Sequence, residues 1–452
     1  WLKALLSAWT VDAMRLLVWW AAVAASAASR LRQGLVKDNA DFELRLDNFD
    51  GVQYSAAFSL GEQTLPVIYD TGSFEIIVLS TLCASCSRAH IVYNSSKSTS
   101  FAASEGIMAE HLFGSGPVRS EKGYEMVRLG GRGSPYKAAN TPFWQVISHN
   151  IAVWDRTSHF SGIVGLGHPG QVPSGFSAEE TEADSMLSAM QISSFAICLE
   201  RGQHAPGWLS VGPKVQALAE SNPSFQALTV LGKNHWGVKM TNLRIPGLST
   251  TSPCVPSCGA IVDSGTSLIA APPTAAGLVS DLARLVRSDC SNLHSLPVLQ
   301  MELDGKVVEL PPAAYVIKTS TRVSSNSSIM RRMFSASGSE TIHRCTVGFM
   351  TLEKDSQMGP VWILGMPFLR YHYTVFDRAS KTIHIAPSTP SCQISGKSMS
   401  LINTTSHAGT GEESDKGLSS RFTVSDYEPT EVDLNAARIS PWATTSEREM
   451  SF

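Results

Sequence analysis

Apolar residues along this chain come in short runs broken by Gly, Asn, Asp, Pro and Ser, the pattern of strands and tight turns rather than of long helices. Phe42 to Leu46 alternates apolar and polar, so it predicts a half-buried strand. Tyr54 to Leu60 predicts a second, and Gly61-Glu62-Gln63 turns it into a third that ends at Asp70. Ile76 to Leu79 is unbroken apolar and predicts a buried strand. His111 to Pro117 reads as a hairpin tip, with Gly114 and Gly116 where positive φ is needed. Ile163 to Gly167, Phe195 to Leu199 and Trp208 to Val211 complete the strands of the first half, and Glu179 to Met190 predicts its main helix.

The second half repeats this order. His235 to Val238 and Thr241 to Ile245 predict two strands, and Ala260 to Val262 leads an apolar run into Asp263. Pro273 to Val286 predicts a helix with Thr274 able to cap it. Val298 to Leu303 and Lys306 to Leu310 flank Asp304-Gly305, a strong hairpin signal. Val361 to Gly365 mirrors Gly162 to Gly165, and Tyr373 to Arg378 with Thr382 to Ile385 forms a last hairpin.

The repeat centres on two polar turns. Asp70-Thr71-Gly72-Ser73 follows Leu65 to Tyr69, and Asp263-Ser264-Gly265-Thr266-Ser267 follows Ala260 to Val262. One such turn is weak evidence, because many β-proteins end a strand in an Asp-containing turn. Two copies with the same apolar lead-in predict turns that face each other and bring two carboxylates to one water.

Composition narrows the classes. The 452 residues are 43% apolar, enough for sizeable cores. The net charge of −3 and the lack of a basic run argue against a nucleic-acid partner. No nucleotide-binding Gly loop, His-Glu-x-x-His or Gly-x-Ser-x-Gly occurs. Met14-Arg15, the apolar Leu16 to Ala25 and the small residues Ala25 to Ser29 predict a secretory signal peptide, too short for a comfortable membrane span. The expected organisation is an upstream extension at 1–13 and a signal peptide at 14–28. A short linker or residual prosegment at 29–41 precedes two lobes at 42–212 and 213–392. A disordered Ser/Thr-rich tail is expected at 393–452, with no stretch able to span a membrane.

Eight cysteines in a chain with a signal peptide read first as disulfides. Cys83 and Cys86 are close enough to close a small loop, Cys254 and Cys258 bracket a Pro-containing turn, and Cys290 and Cys345 are the next natural pair. Cys198 and Cys392 are left to pair or to remain thiols. A metal site built on Cys83, Cys86 and His90 lacks a second short-spaced pair, and a redox Cys-x-x-Cys lacks its βαβ surroundings, so no metal is expected. Asn94, Asn326 and Asn403 open sequons in Ser/Thr-rich stretches and are candidate glycan sites.

From Phe42 to Cys392 the chain resembles the pepsin-like aspartic proteases. The resemblance is carried by Val67-Ile-Tyr-Asp70-Thr-Gly-Ser73, Phe113-Gly-Ser-Gly116 and the stretch from Cys254 through Asp263 to Leu268. Ser295-Leu-Pro297, Trp362-Ile-Leu-Gly365-Met-Pro-Phe-Leu-Arg370 and Tyr373 to Arg378 extend it. It implies an all-β, bilobal fold with a few short helices and a cleft between the lobes. It implies an aspartic endopeptidase, monomeric and without cofactor, acting on polypeptides and bound by pepstatin-like inhibitors. Asp70 and Asp263 would share one proton and activate water. Ser73 and Thr266 would hold the outer carboxylate oxygens, Thr71 and Ser264 would tie the turns together, and Gly72 and Gly265 would let backbone approach. Phe113, Gly114 and Ser115 would form the substrate flap. The resemblance places bridges at Cys83–Cys86, Cys254–Cys258 and Cys290–Cys345. The destination would be extracellular, or a lysosome-like, vacuolar or secretory organelle.

Four departures from the pattern matter. The flap position usually held by Tyr is Phe113, and its usual Trp partner is Ile77, so the resemblance predicts an apolar flap anchor with no orphaned polar group. Met366 stands where Asp is common in acid-acting members, so the resemblance does not carry a strongly acidic optimum over to this chain. Residues 29–41 leave little room for the usual basic prosegment. A catalytically silent pepsin-fold binding or inhibitor protein is the alternative; such relatives usually lose an active-site Asp or the Gly beside it, and this chain keeps both sets.

Overall fold

The computed structural model describes residues 40–84, 86, 91–113, 116–151, 154, 159–167, 186–232, 235–246, 252–323, 340–395, 429–432 and 449–450. The chain is mostly strand, as its runs of apolar residues predict. The first half contains β1 (Phe42–Phe49), β2 (Gln53–Leu60), β3 (Gln63–Asp70), β4 (Ile76–Leu79) and β5 (Ala102–Phe113). Then come β6 (Gly116–Leu129), β7 (Lys137–His149), β8 (Gly162–Gly165), β9 (Ser194–Leu199) and β10 (Gly207–Val211). The second half begins with β11 (Gln226–Thr229), β12 (Gly237–Arg244), β13 (Cys258–Val262) and β14 (Ile269–Ala271). It continues with β15 (Leu299–Leu303), β16 (Lys306–Leu310), β17 (Val316–Val323), β18 (Glu340–Val347) and β19 (Phe349–Thr351). It closes with β20 (Asp355–Ser356), β21 (Gly359–Leu364), β22 (His372–Asp377), β23 (Thr382–Pro387), β24 (Thr430–Val432) and β25 (Glu449–Met450).

One arrangement occurs twice. β3 runs parallel to β8, with Asp70 opposite Gly165, and β4 lies antiparallel on the far side of β8 and parallel to β7. In the second half β13 runs parallel to β21, with Val262 opposite Leu364, and β14 lies antiparallel on the far side of β21 and parallel to β19. β4, β8 and β13 are buried along their whole length, which is why they read as unbroken apolar runs rather than as alternation.

The two halves share a sheet. β9 of the first half pairs with β22 of the second, Phe195 opposite Phe376, within the order β11-β23-β22-β9-β10-β1. Behind it Trp236 is fully buried edge-on to both Phe195 and Phe376, at centroid distances of 6.0 and 5.1 Å. Its indole N–H donates to the carbonyl of Leu166 at 2.9 Å. Aromatic pairs of this kind contribute about 0.5–1.5 kcal/mol each beyond their area burial, so the junction between the halves is itself a core.

All eight cysteines are bridged: Cys83–Cys86, Cys254–Cys258, Cys290–Cys345 and Cys198–Cys392. The last settles the two cysteines that spacing left open. It ties β9 to the chain just after β23 across a separation of 194 residues.

Several elements differ from the sequence expectation. The two strands expected at 235–245 are one strand, β12. The helix expected over 273–286 is a 3₁₀ turn at Pro273–Ala275 followed by an α-helix at Ala276–Leu285. Thr274 lies inside that turn and caps nothing; Ala275 is the helix N-cap, without a side-chain bond. Of the helix expected at 179–190, Met186–Ala189 is helical and 179–185 lies outside the described residues. The tail expected to lack structure from 393 onward contributes β24, which pairs with β17, and β25, which pairs with β20. Asn94 caps a 3₁₀ turn, its side chain accepting from the Ser96 N–H. Asn326, Asn403, the signal stretch 14–28 and the upstream extension 1–13 lie outside the described residues. Among the described residues no helix is long and apolar enough to cross a membrane.

Candidate active site

Asp70 is the last residue of β3 and Asp263 follows β13 directly. Both are fully buried. Each carboxylate sits in the same cradle. Asp70 Oδ1 accepts from the Gly72 N–H at 2.9 Å, and its Oδ2 accepts from the Ser73 hydroxyl at 2.8 Å. Asp263 Oδ1 accepts from the Gly265 N–H and its Oδ2 from the Thr266 hydroxyl, both at 2.7 Å. The sequence-predicted support residues are thus brought onto the carboxylates they were expected to hold.

Thr71 and Ser264 lock the two turns to each other. The Thr71 N–H donates to Ser264 Oγ at 3.0 Å, and the Ser264 N–H donates to Thr71 Oγ1 at 2.9 Å. Each hydroxyl then donates to a strand-end carbonyl of the opposite half, Thr71 Oγ1 to Val262 at 2.9 Å and Ser264 Oγ to Tyr69 at 2.7 Å. Each hydroxyl both donates and accepts, so neither is left unsatisfied in this buried junction.

Two glycines let the neighbouring strands back onto these turns. A Cβ at Gly165 would fall 2.3 Å from the Phe74 Cα, and one at Gly365 would fall 2.2 Å from the Leu268 carbonyl oxygen. Only glycine permits so close an approach. The following N–H groups then hold the turns: Leu166 donates to the Asp70 carbonyl at 2.7 Å, and Met366 donates to that of Thr266 at 2.9 Å.

His235 was read from sequence only as part of a strand. It is buried beside the Asp70 turn. Burial pushes its imidazole down to about 4, against the opposing pull of the Asp70 charge and a hydrogen bond to the Gly72 backbone. The ring is therefore neutral above about pH 4, a dipole beside the Asp70 turn.

A second feature was not legible in the sequence. Glu75, five residues after Asp70, reaches the β5–β6 hairpin: its Oε2 lies 3.1 Å from His111 Nδ1. The other His111 nitrogen lies 2.7 Å from Ser120 Oγ, and the Trp144 indole N–H donates to Glu75 Oε1 at 3.1 Å. Ile77 is buried in register with Trp144. A polar link thus joins hairpin and body, because Glu75 and His111 project from adjacent elements into the same partly buried space. The Phe113 side chain, Gly114 and Ser115 lie outside the described residues.

Cys83, Cys86 and His149 place their ligand atoms within 4.8 Å of one another. The two sulfurs are bonded to each other, which removes the thiolates that the metal reading required. His90 lies outside the described residues.

Comparison with known proteins supplies the family. The family model described as eukaryotic aspartyl protease matches residues 53–388, a span that holds both Asp turns and the hairpin. The chain belongs to the eukaryotic aspartyl protease family. Within that family it is similar to pepsin A of Sus scrofa, 27% identical over 76% of this chain and 83% of that protein. It is 28% identical to cathepsin D of Clupea harengus, over 79% of this chain and 86% of that protein. Renin of Canis lupus familiaris is 27% identical over 78% of this chain and 83% of its own length. The aspartyl protease fold accounts for the doubled strand arrangement and for the sheet that the two halves share.

Proposed function

We propose that this aspartyl protease is an endopeptidase in which Asp70 and Asp263 activate one water against the peptide carbonyl. The observation that supports it best is the matched pair of cradles, each with one Gly N–H on the inner oxygen and one hydroxyl on the outer, locked by the reciprocal Thr71 and Ser264 bonds. Such a cradle fixes the direction of each carboxylate before substrate arrives, which is what preorganised catalysis requires. Two adjacent carboxylates cannot both ionise cheaply, so the pair holds one proton between them. The ionised member takes a proton from the water as it attacks. The protonated member gives its proton to the carbonyl oxygen, and the tetrahedral intermediate is neutral at that oxygen. Collapse returns a proton to the amine, and the C–N bond breaks. Water is the nucleophile, and no covalent intermediate forms on the protein.

The substrate is an extended polypeptide, and the protein acts as a monomer in the secretory pathway. The disulfides support that compartment, as does the signal-like stretch at its N-terminal end. Ile77 and Phe113 favour a small-to-medium apolar residue at P1, and pepstatin-like inhibitors occupy the same site. The test is a mixed peptide library assayed from about pH 3 to 7, with pepstatin and with Asp70→Asn. Pepstatin-sensitive cleavage that falls by about 10²-fold or more in Asp70→Asn is expected. Cleavage that survives the substitution refutes the dyad, and a folded protein that cleaves nothing supports a binding role instead.

A further inference from the structure

The segment Thr430–Val432 lies as a parallel strand along β17, with Thr430 opposite Ile317, Glu431 opposite Lys318 and Val432 opposite Thr319. Its side chains are recognised individually. Val432 is buried and packs with Val52, Leu268 and Ile317. The Glu431 carboxylate lies 3.6 Å from Lys318 Nζ and 3.5 Å from His343 Nδ1, and it accepts from the Ser320 hydroxyl. Gly51 makes room for the backbone, since a Cβ there would fall 2.6 Å from the Glu431 carbonyl oxygen.

The place matters as much as the fit. Leu268 follows Thr266, which holds Asp263, by two residues. Ser267 Oγ donates to the Val52 carbonyl at 2.7 Å, so the notch that takes Val432 is built by both halves of the chain. A polypeptide with its scissile bond between Asp70 and Asp263 must follow the seam between the halves, and this notch lies on that seam. A three-residue ladder with partly exposed ion pairs is weakly held. Being part of the same chain, the segment nevertheless meets this edge intramolecularly. That combination describes an exchangeable occupant rather than a fixed element of the sheet.

We infer that the β17 edge from Ile317 to Ser320, with Lys318, His343 and the Val52–Leu268 notch, is a peptide-strand site for an extended segment bearing an acidic residue followed by a β-branched apolar one. The chain's own Thr430–Val432 fills this site in cis and competes there with substrate. The substrate part rests on the endopeptidase reading; the site itself does not.

The test uses the full chain carrying Glu431→Lys and Val432→Asp. Amide exchange at Ile317–Ser320 should quicken, and a fluorescent peptide matching residues 427–434 should bind this variant but not the original chain. Adding Lys318→Glu should weaken that binding by about tenfold, as expected for reversing one member of a partly exposed pair. These readouts need no catalysis. In the active protein, the KM for a peptide carrying Glu followed by a β-branched apolar residue should fall several-fold in the double variant at unchanged kcat, and added peptide should raise it again. Unchanged exchange in the double variant, or faster exchange without peptide binding, overturns the site. Bound peptide that leaves KM unmoved overturns its role in the substrate path.

Discussion

His372 allows a quantitative test of how this protein responds to acid. The ring is buried at the start of β22, stacked on Phe368 with centroids 4.3 Å apart. Its Nδ1 lies 3.1 Å from the Phe368 carbonyl oxygen. Burial is the largest cause of its depressed pKa, about 4 against 6.5, and the Arg201 charge adds to it. The folded state therefore resists a proton that the unfolded chain accepts readily. The stabilisation is present above pH 6.5 and is lost as pH falls towards 4. A gap of this size corresponds to about 3 kcal/mol, a large share of a typical folding free energy. His372→Asn keeps an N–H donor near Phe368 but cannot take the proton. Urea unfolding of the original chain and the variant at pH 7 and pH 4.5 gives the comparison. The variant should be the less stable at pH 7, and the difference should shift in its favour by about 2 kcal/mol at pH 4.5. A stability difference that stays constant with pH refutes the reasoning. His235 is depressed in the same direction, so two buried imidazoles oppose strong acid.

Glu75→Gln removes the charge facing His111 and should raise KM several-fold more than it lowers kcat, with faster amide exchange in β5; equal losses in both would refute a positioning role. Thr71→Ala strips two buried hydrogen bonds and leaves the Ser264 N–H without its partner, which should cost about 2–4 kcal/mol in denaturant unfolding; a change within about 0.5 kcal/mol would show that these bonds do not hold the two turns together. A peptide library should show small-to-medium apolar preference at P1, and a charged preference would contradict the assignment of Ile77 and Phe113.

The two Asp turns were legible because their chemistry is local. The carboxylate, the Gly N–H and the hydroxyl that hold each other lie within four consecutive residues, and the doubling supplied the partner. The helix start at Pro273 was misread because Thr274 has the right side chain in a turn that two prolines had already fixed as 3₁₀. Glu75 and His111 gave no signal, since 36 positions of strand and turn separate them and only the register of β5 on β6 and β7 brings the imidazole over the carboxylate. β24 was hidden for a related reason. Three residues in a polar, Ser- and Thr-rich stretch have no periodicity of their own, and their order comes from Lys318, His343 and an apolar notch assembled elsewhere. Cys198 and Cys392 remained open because neither lies near another cysteine in sequence; strand order, not spacing, makes them neighbours.

The reciprocal Thr71–Ser264 junction has a mechanical consequence. It lies where the two halves meet, with a continuous sheet beneath it through β9 and β22. Any rocking of one half against the other pivots about this point, and displacement grows with distance from a pivot. In the proposed endopeptidase, surfaces far from the junction would therefore shift around a bound peptide while the spacing of the two Asp turns hardly alters. The two Asp turns are seated at the junction, where movement of one half against the other displaces them least.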